Sequence, residues 1–263
     1  MTKSKSSVPE YGNWVSKKMI YSIGIICLSL LILTIISLFH FELIFTVLII
    51  FLLIIFLLSF IYFCYAHNAF SERGGNIQNK IYDLIFEYIE FNGIGKIIDI
   101  GCGNGGLTIR LAKKYPNSNI YGIDYWGGMW GYSEKSCINN AKSENVDKQI
   151  VFKQASASSL PYNVNTFDLA ISNFVFHEVN DTKNKKDLIK EALRVLKPGG
   201  CFVFQDLFLS SFYYGNIDDL INEIKSLGIK DVKFVDTSKS TFIPKALRLP
   251  FMVGKIGIIY GEK

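Results

Sequence analysis

The sequence IIDIGCGNGG, residues 97–106, changes from an apolar run to a glycine-rich loop. The apolar run predicts a buried strand, and the residues after the loop predict a helix. The glycines fit two patterns. Gly101, Gly103 and Gly106 have the G-x-G-x-x-G spacing of dinucleotide sites, whereas Asp99, Gly101, Gly103 and Gly105 form an acidic residue followed by alternating glycines. Either pattern predicts a turn that approaches a ligand closely at a helix N-terminus.

The charge of Asp99 distinguishes the two kinds of ligand. A dinucleotide would bring its anionic diphosphate over this turn, next to the carboxylate. S-adenosylmethionine carries no phosphate, and its α-ammonium and sulfonium groups are both cationic. An acidic side chain attracts such a ligand, most strongly in a partly buried site. Asp99 therefore favours S-adenosylmethionine over a nicotinamide dinucleotide.

Asp124 ends the next apolar run and predicts a ribose contact. A carboxylate at this distance after a glycine turn accepts hydrogen bonds from both ribose hydroxyls. Both cofactors contain a ribose, so Asp124 does not choose between them. Tyr125 and Trp126 follow it, and they either cover an adenine ring or pack within the protein.

Strands and helices alternate from residue 77 onward, as an open parallel sheet with helices on both faces requires. The predicted strands are Lys96–Gly101, Asn119–Asp124, Ile150–Gln154, Asp168–Ser172, Cys201–Asp206, Asp231–Val235 and Lys255–Tyr260. The predicted helices begin with one over residues 77–89 and continue with Leu107–Lys114, Tyr132–Glu144, a short one around Ser158, Lys185–Leu196 and Ile217–Leu227. No clear helix separates the last two strands, which predicts an antiparallel pair at the sheet edge.

Four blocks in this order resemble the class I S-adenosylmethionine-dependent methyltransferases with a methyltransferase type 11-like domain. They are IIDIGCGNGG, IYGIDYW, ASASSLPYNVNTFDLAISN and RVLKPGGCFVFQD. The resemblance covers residues 77–263. It implies a Rossmann-like, seven-stranded, mostly parallel sheet with one antiparallel edge strand. It also implies S-adenosylmethionine bound at the carboxyl ends of the first strands.

The resemblance also implies which residues contact the cofactor. Ser156 stands where the family usually has an acidic residue that contacts the adenine amino group, and the Ala157 N–H is placed to meet the ring. Cys102 is expected to pack within the loop rather than act as a nucleophile. The full expected set is Asp99, Gly101, Cys102, Gly103, Gly105, Asp124, Tyr125, Trp126, Ser156, Ala157 and Asn173.

The stretch SNFVFHEV, residues 172–179, follows the fourth predicted strand and contains the candidate catalytic residues. In the family this position lies over the reactive methyl group. His177 has an intrinsic pKa near ~6.5 and suits a general base, with Glu178 as the second candidate. The alternative is that His177 is a structural residue that ties down the loop.

Two uncharged runs, Ile20–Phe39 and Leu43–Ala66, are each long enough to cross a bilayer as a helix. Lysines precede the first run, and the short connection has none, so the positive-inside bias places both termini in the cytoplasm. The expected division is a cytoplasmic tail at 1–18, two transmembrane helices within 19–66, a linker at 67–76 and the methyltransferase domain at 77–263.

Composition excludes several other classes of site. The net charge is +5 and no basic run with interleaved aromatic residues occurs, so no nucleic-acid partner is expected. The five cysteines form no C-x-x-C pair, so neither a disulfide framework nor a metal site is expected. The sequence does not indicate an oligomeric state.

These observations favour a membrane-anchored methyltransferase with a lipid or other small-molecule acceptor. One alternative is a catalytically inactive, membrane-tethered binding or scaffold protein that keeps the fold. The other is a nicotinamide-dependent oxidoreductase, which the charge of Asp99 disfavours.

Overall fold

A computed structural model describes residues 8–127, 131–229 and 231–263. The chain divides into two compact units. One unit contains residues 12–79, and the other contains residues 8–11 together with 80–263. Lys3 and Lys5, which contribute to the positive-inside argument, lie outside the described residues.

The unit at 12–79 contains a helical hairpin made of α1 (Lys17–His40) and α2 (Leu43–Phe70). The helices run antiparallel, because Gly24 lies against Phe60 and the Thr46 hydroxyl donates to the Ser37 carbonyl. At 1.5 Å per residue they are about 36 and 42 Å long, sufficient to cross the apolar part of a bilayer. Only 11% and 6% of their most apolar stretches are buried.

The ends of the hairpin are fixed by polar contacts. Ser16 caps α1 by accepting from the Lys18 N–H. His67 Nδ1 lies 2.8 Å from the Val15 carbonyl, and the Asn13 side chain donates to the His67 carbonyl. Helix α2 continues to Phe70, so it includes the first residues of the expected linker at 67–76. The helix ends where a turn begins at Ser71.

The unit at 80–263 contains a seven-stranded sheet in the order β3-β2-β1-β4-β5-β7-β6. Neighbouring strands are parallel except β7, which is antiparallel to both β5 and β6. The Rossmann-like fold expected from the sequence is confirmed, with the antiparallel strand β7 next to the edge strand β6. The strands are β1 (Ile94–Ile100), β2 (Asn117–Asp124), β3 (Ile150–Gln154), β4 (Phe167–Asn173), β5 (Leu196–Asp206), β6 (Asp231–Asp236) and β7 (Gly257–Glu262).

Helices cover both faces of the sheet, and each face has its own core. Ile98, Phe202 and Phe204 belong to one core, whereas Ile97 and Val203 belong to the other, as alternation along a strand requires. The helices that follow the hairpin are α3 (Ile77–Glu87), α4 (Gly106–Lys114), α5 (Glu134–Ser143), α6 (Lys186–Arg194), α7 (Ser211–Tyr214) and α8 (Ile217–Ser226).

The prediction of a short helix around Ser158 is wrong. The Ser156 hydroxyl accepts from the Ser158 N–H, and the Ser159 N–H bonds the Ser156 carbonyl, so the segment is a hydroxyl-stabilised turn. Helix α5 begins at Glu134 rather than Tyr132, because Ser133 caps it by accepting from the Ser136 N–H.

Candidate active site

The glycine turn, defined as residues 101–105, connects β1 to α4 at the carboxyl edge of the sheet. Gly101 has φ +77° and lies against Val175. A Cβ atom built there would be 2.0 Å from the Val175 side chain. Glycine at 101 therefore meets two requirements, a left-handed backbone and the close approach of the segment after β4.

Most backbone N–H groups of the glycine turn are used within the protein. Those of Gly101 and Cys102 donate to the Ile123 carbonyl, and that of Gly105 donates to the Cys102 carbonyl. The Gly103 N–H donates to the Asp124 carboxylate at 2.9 Å. A diphosphate bound at a helix N-terminus needs such donors free. The glycine turn therefore lets a ligand come close to the backbone but offers it few free N–H donors.

Asp124 connects the ends of β1 and β2. Its second carboxylate oxygen accepts from the Trp126 N–H at 2.8 Å, and the Trp126 indole donates back to the Gly103 carbonyl. Burial raises the pKa of Asp124, although its backbone hydrogen bonds lower it. The indole of Trp126 is thus fixed beside the turn, whereas the neighbouring Tyr125 is 71% exposed.

Asp99 lies beneath the glycine turn and is 1% exposed. Its carboxyl group accepts from the Thr108 hydroxyl of α4 at 2.5 Å. Burial raises the pKa of Asp99 to about 7, against the Thr108 hydrogen bond, and Asp124 raises it further. Two neighbouring carboxyl groups with raised pKa values make this region favourable for a cation and unfavourable for an anion.

Cys102 is buried and its pKa is raised, first by burial, so its thiol is neutral. The neighbouring Cys137 donates its thiol to the Gly103 carbonyl at 3.0 Å. A packing role for Cys102 stays a prediction.

In the third block, the Ser156 hydroxyl is held by a carboxylate that the sequence reasoning missed. Asp181, from the segment after β4, accepts from Ser156 at 2.5 Å and from Ser158 at 2.7 Å. An acidic group is therefore present beside the position where the family has one, although it comes from a different part of the chain. Ala157 is buried in the core next to this turn.

Asn140 and Glu10, which the sequence reasoning missed, support the glycine turn through its residue Asn104. Asn140 of α5 donates to the Asn104 carbonyl and exchanges hydrogen bonds with the Glu10 backbone. The Asn104 amide also contacts the Glu10 carbonyl. The helical spacing of Cys137, Asn140 and Ala141, which form the buried face of α5, could have identified Asn140.

His177 is held by carboxylates at the end of β5 and within its own turn. Its Nδ1 lies 2.6 Å from Asp206, and its Nε2 lies 3.4 Å from Glu178. Burial alone would lower the pKa of His177, but the Asp206 and Glu178 carboxylates raise it to about 10. The ring is therefore an imidazolium at neutral pH, with no lone pair free to accept a proton.

Asp206 also orders the turn at Phe176–Glu178, because it accepts from the Phe176 and His177 N–H groups. A cavity of about 450 Å³ opens beside this turn. It is lined by His177, Glu178, Asn180, Thr182, Lys183, Lys185, Phe212 and Tyr213. Asp206 was missed as a site residue, although it ends a predicted strand at the same edge as Asp124.

The glycine turn, the Asp124 carboxylate and the doubly covered sheet define a nucleoside-binding α/β domain. Residues 98–204 match the family model of the methyltransferase domain. Residues 98–204 therefore form a methyltransferase domain, and the resemblance to S-adenosylmethionine-dependent methyltransferases carried by the four sequence blocks is confirmed.

Relatives of this chain include two demethylmenaquinone methyltransferases. The protein from Lactobacillus johnsonii is 36% identical over 104 residues, which are 39% of this chain and 40% of that protein. The protein from Lactococcus lactis is 26% identical over 176 residues, which are 63% of this chain and 66% of that protein. The chain thus spans between two fifths and just under two thirds of the length of these relatives.

Among solved structures, the chain is similar to the geranyl diphosphate C-methyltransferase from Streptomyces coelicolor. The TM-score is 0.55 at 12% identity, and the match covers 76% of this chain and 80% of that one. That structure contains S-adenosylhomocysteine, Mg²⁺ and geranyl diphosphate. At this identity the likeness shows the fold alone.

Gly101→Ala is expected to destabilise the protein more than Gly199→Ala does. The two glycines have nearly equal φ, +77° and +76°, but an added Cβ at Gly199 has no atom within 4 Å. Both variants carry the left-handed backbone cost of about 1 kcal/mol, and only Gly101→Ala adds the clash with Val175. Thermal unfolding measures the difference, and equal melting temperatures would contradict this account.

Asp99→Asn is expected to stabilise the ligand-free protein at pH 8. The Asp99 pKa rises from 3.8 to about 7 on folding, so the folded state binds this proton more tightly. Stability therefore falls as pH rises from about 4 to about 7, and the asparagine variant escapes this penalty. We expect its melting temperature to exceed the wild-type value by at least roughly 2–4 °C at pH 8, with the difference disappearing toward pH 4.

Asp168→Asn is the matched control, because its pKa shifts the other way. Burial opposes the charge of Asp168, but the Lys197 ammonium and the Lys96 N–H lower its pKa. This variant should lose stability at pH 8 relative to wild type. An Asp99→Asn protein that also melts below wild type at pH 8 would show that the Asp99 carboxylate is stabilised on folding.

Proposed function

We propose that this protein is a membrane-anchored methyltransferase that transfers a methyl group from S-adenosylmethionine to a small-molecule or lipid acceptor of the quinol type. The observation that carries the proposal is the pair of carboxyl groups at the glycine turn, Asp99 and Asp124. Their pKa values are raised by burial, and the described groups that act on them include no Lys or Arg. A cationic ligand would satisfy both.

The residues present fit this cofactor. Asp124 keeps acceptor capacity for a ribose hydroxyl, since a carboxylate has about four lone-pair sites and the backbone N–H groups of Gly103, Tyr125 and Trp126 are the donors recorded for it. Trp126 is fixed beside the turn and offers a ring face, and Ser156 with Asp181 offers polar atoms toward an adenine. S-adenosylmethionine, when bound, supplies an electrophilic methyl group on a sulfonium. The chain itself contributes binding, orientation and exclusion of water, through which positioning accelerates the transfer.

The anchoring part of the proposal rests on the hairpin of α1 and α2. Both helices are long and apolar enough to span a bilayer, and Lys17 and Lys18 precede the connection at Phe41–Glu42, which contains no cation. The positive-inside bias supports cytoplasmic termini and a cytoplasmic catalytic domain. A tether of this kind raises the local concentration of the enzyme at lipid-soluble acceptors.

The quinol acceptor is supported by the two relatives named as demethylmenaquinone methyltransferases. The cavity beside His177 is large enough for a ring and lies at the carboxyl ends of β4 and β5. Its lining includes the aromatic rings of Phe212 and Tyr213, which suit a flat apolar acceptor. His177, as an imidazolium held by Asp206 and Glu178, would position the turn beside this cavity.

Calorimetric titration of the full-length chain in detergent micelles tests the proposal. S-adenosylmethionine and S-adenosylhomocysteine should bind, and NADH should not. Asp124→Asn should weaken binding by roughly 10- to 100-fold, because it replaces a charged acceptor of ribose hydrogen bonds. Asp219→Asn, at an exposed position in the first turn of α8, is the control and should bind as wild type does.

The outcomes separate the proposed enzyme from its alternatives. Transfer of labelled methyl from the cofactor to reduced demethylmenaquinone in lipid vesicles supports the enzyme. Cofactor binding without transfer to this quinol or to any component of a membrane extract favours the scaffold. Binding of NADH alone would replace the methyltransferase with the oxidoreductase.

His177→Gln is expected to reduce stability in a pH-dependent way. The pKa of His177 rises from 6.5 to about 10 on folding, so the stabilising charge pair is fully present below about pH 6.5. It is lost as pH rises toward 10. The melting-temperature difference between wild type and variant should therefore be largest near pH 6 and shrink toward pH 10.

The same variant separates a positioning role from general-base catalysis. If His177 only positions the turn, the pH profile of the wild-type kcat should show no ionisation near pH 6.5. If kcat instead shows a limb near pH 6.5 that disappears in His177→Gln, while the melting temperature stays unchanged, His177 is the catalytic base.

A further inference from the structure

Residues 8–11, which we call the N-terminal segment, contact the glycine turn and α5. They belong to the same compact unit as residues 80–263. The Glu10 N–H donates to the Asn140 side chain at 2.9 Å, and the Glu10 carbonyl accepts from the same side chain at 3.0 Å. The Asn104 side-chain amide also reaches the Glu10 carbonyl, at 3.5 Å. These contacts join residues 94 or more positions apart, so they are tertiary contacts and not bonds of a local turn.

Tyr11 fixes the N-terminal segment against both helices that border the glycine turn. Its hydroxyl donates at 2.9 Å to the carboxylate of Glu144, the residue that caps the end of α5. The same carboxylate pairs with Lys113 of α4. A Cβ atom built on Gly106, the first residue of α4, would lie 3.7 Å from the Tyr11 Cβ atom, in ordinary van der Waals contact. The N-terminal segment therefore crosses from the beginning of α4 to α5.

Asn104 is the residue through which the glycine turn meets these outside elements. Its backbone carbonyl accepts from Asn140, and its side-chain oxygen accepts from the N–H of Ser133, the residue that caps α5. On either side of it, Gly103 and Gly105 have left-handed backbones with φ +57° and +83°. Because glycine is free to adopt many backbone conformations, contacts from α5 and the N-terminal segment are needed to hold the turn in one of them.

The N-terminal segment has little apolar burial to hold it in place. Val8 is 87% exposed and the Glu10 side chain is exposed. Tyr11 is the member of the described residues 8–11 that packs against a core cluster. Single hydrogen bonds contribute little net free energy, so a segment that depends on a few of them opens easily. A ligand that fixes the glycine turn would therefore also fix the N-terminal segment.

We propose that residues 8–11 are a positioning segment of the cofactor site. They hold Asn104 and α5 in the geometry that S-adenosylmethionine binds, and cofactor binding in turn fixes the N-terminal segment. The two effects have the same magnitude, because coupling between two binding events is reciprocal. The inference rests on the proposed methyltransferase function and names residues that complete its cofactor site. Main-chain atoms of Glu10 make the contact with Asn140, whereas the Glu10 carboxylate is exposed.

Glu10→Pro gives a sharp test, because proline lacks the N–H that donates to Asn140. The full-length protein in micelles is titrated with S-adenosylhomocysteine. Glu10→Pro should raise the Kd by roughly 5- to 10-fold, as a coupling of about one hydrogen bond predicts. The conservative variant Glu10→Gln keeps the N–H and should restore the wild-type Kd.

Gln149→Ala is the matched control. The Gln149 side-chain amide donates to the Ala112 carbonyl, close to the end of α4 that lies away from the glycine turn. This variant therefore loses a tertiary hydrogen bond to a backbone group without touching the turn. It should bind S-adenosylhomocysteine with the wild-type Kd.

Cleavage of the wild-type protein by a glutamyl endopeptidase measures the reverse effect. Glu10 and Glu72 both have exposed side chains, but Glu72 belongs to the unit at 12–79. Saturating S-adenosylhomocysteine should slow cleavage after Glu10 by roughly 3- to 10-fold, because cleavage follows the population of the open segment. Cleavage after Glu72 should keep its rate. Mass spectrometry of the intact chain and its fragments distinguishes the two sites.

Each outcome decides the matter. A raised Kd in Glu10→Pro, rescue in Glu10→Gln and ligand protection after Glu10 alone support the inference. A wild-type Kd in Glu10→Pro overturns it. An equally raised Kd in Glu10→Gln also overturns it, because the carboxylate would then be the contacting group.

The cleavage assay uses the wild-type chain, so it decides the question even if Glu10→Pro does not fold. Equal slowing at Glu10 and Glu72, or slowing at neither, overturns the inference. Failure of the wild-type protein to bind S-adenosylhomocysteine would instead refute the proposed function.

Discussion

Asp124 makes the hydrogen bonds on which the arrangement of the site depends. Its carboxylate accepts from Gly103 on one side and Trp126 on the other, so the ends of β1 and β2 are held in one geometry. Most N–H groups of the glycine turn donate to acceptors within this internal network. Asp99 lies beneath the turn and is a second carboxyl group with a raised pKa. The site thus offers negative charge and close backbone approach, which suits a cationic nucleoside ligand better than a diphosphate.

Much of the fold follows from local sequence patterns. The seven strands lie close to where apolar runs predicted them. The reason is clearest for the central strands β1 and β4, because parallel strands buried on both faces need continuous apolar sequence. The position of β7 between β5 and β6 was not readable, since strand order depends on contacts between distant residues. The turn at Ser156 was mistaken for a helix because hydroxyl-to-backbone bonds compete with helix formation without changing the apolar spacing.

The predicted and missed site residues differ in how they reach the site. Asp124 and the glycines are adjacent to strand ends, so the sequence placed them at the carboxyl edge. Asp181 and Asn140 reach the site from segments with no recognisable motif, through contacts with Ser156 and Asn104. Their roles depend on tertiary packing, which a single sequence does not encode in its local spacing. The direction of the Asp99 side chain, toward Thr108 of α4, was equally unreadable.

At the carboxyl edge of the sheet, residues whose polar atoms are hydrogen-bonded within the protein differ from residues whose polar atoms have no partner there. At the glycine turn and at the His177 turn, most of the described backbone donors are bonded within the protein. Asn173 and Gln205, which are paired across β4 and β5, have buried polar atoms without a partner among the described residues. A fold under selection for stability alone would have apolar side chains there, as it has at Ile171 and Val203 on the same sheet face. The two amides therefore lower the stability of this edge, and contacts elsewhere in the unit, such as the hydrogen bonds at the glycine turn and the His177 turn, have to offset that cost.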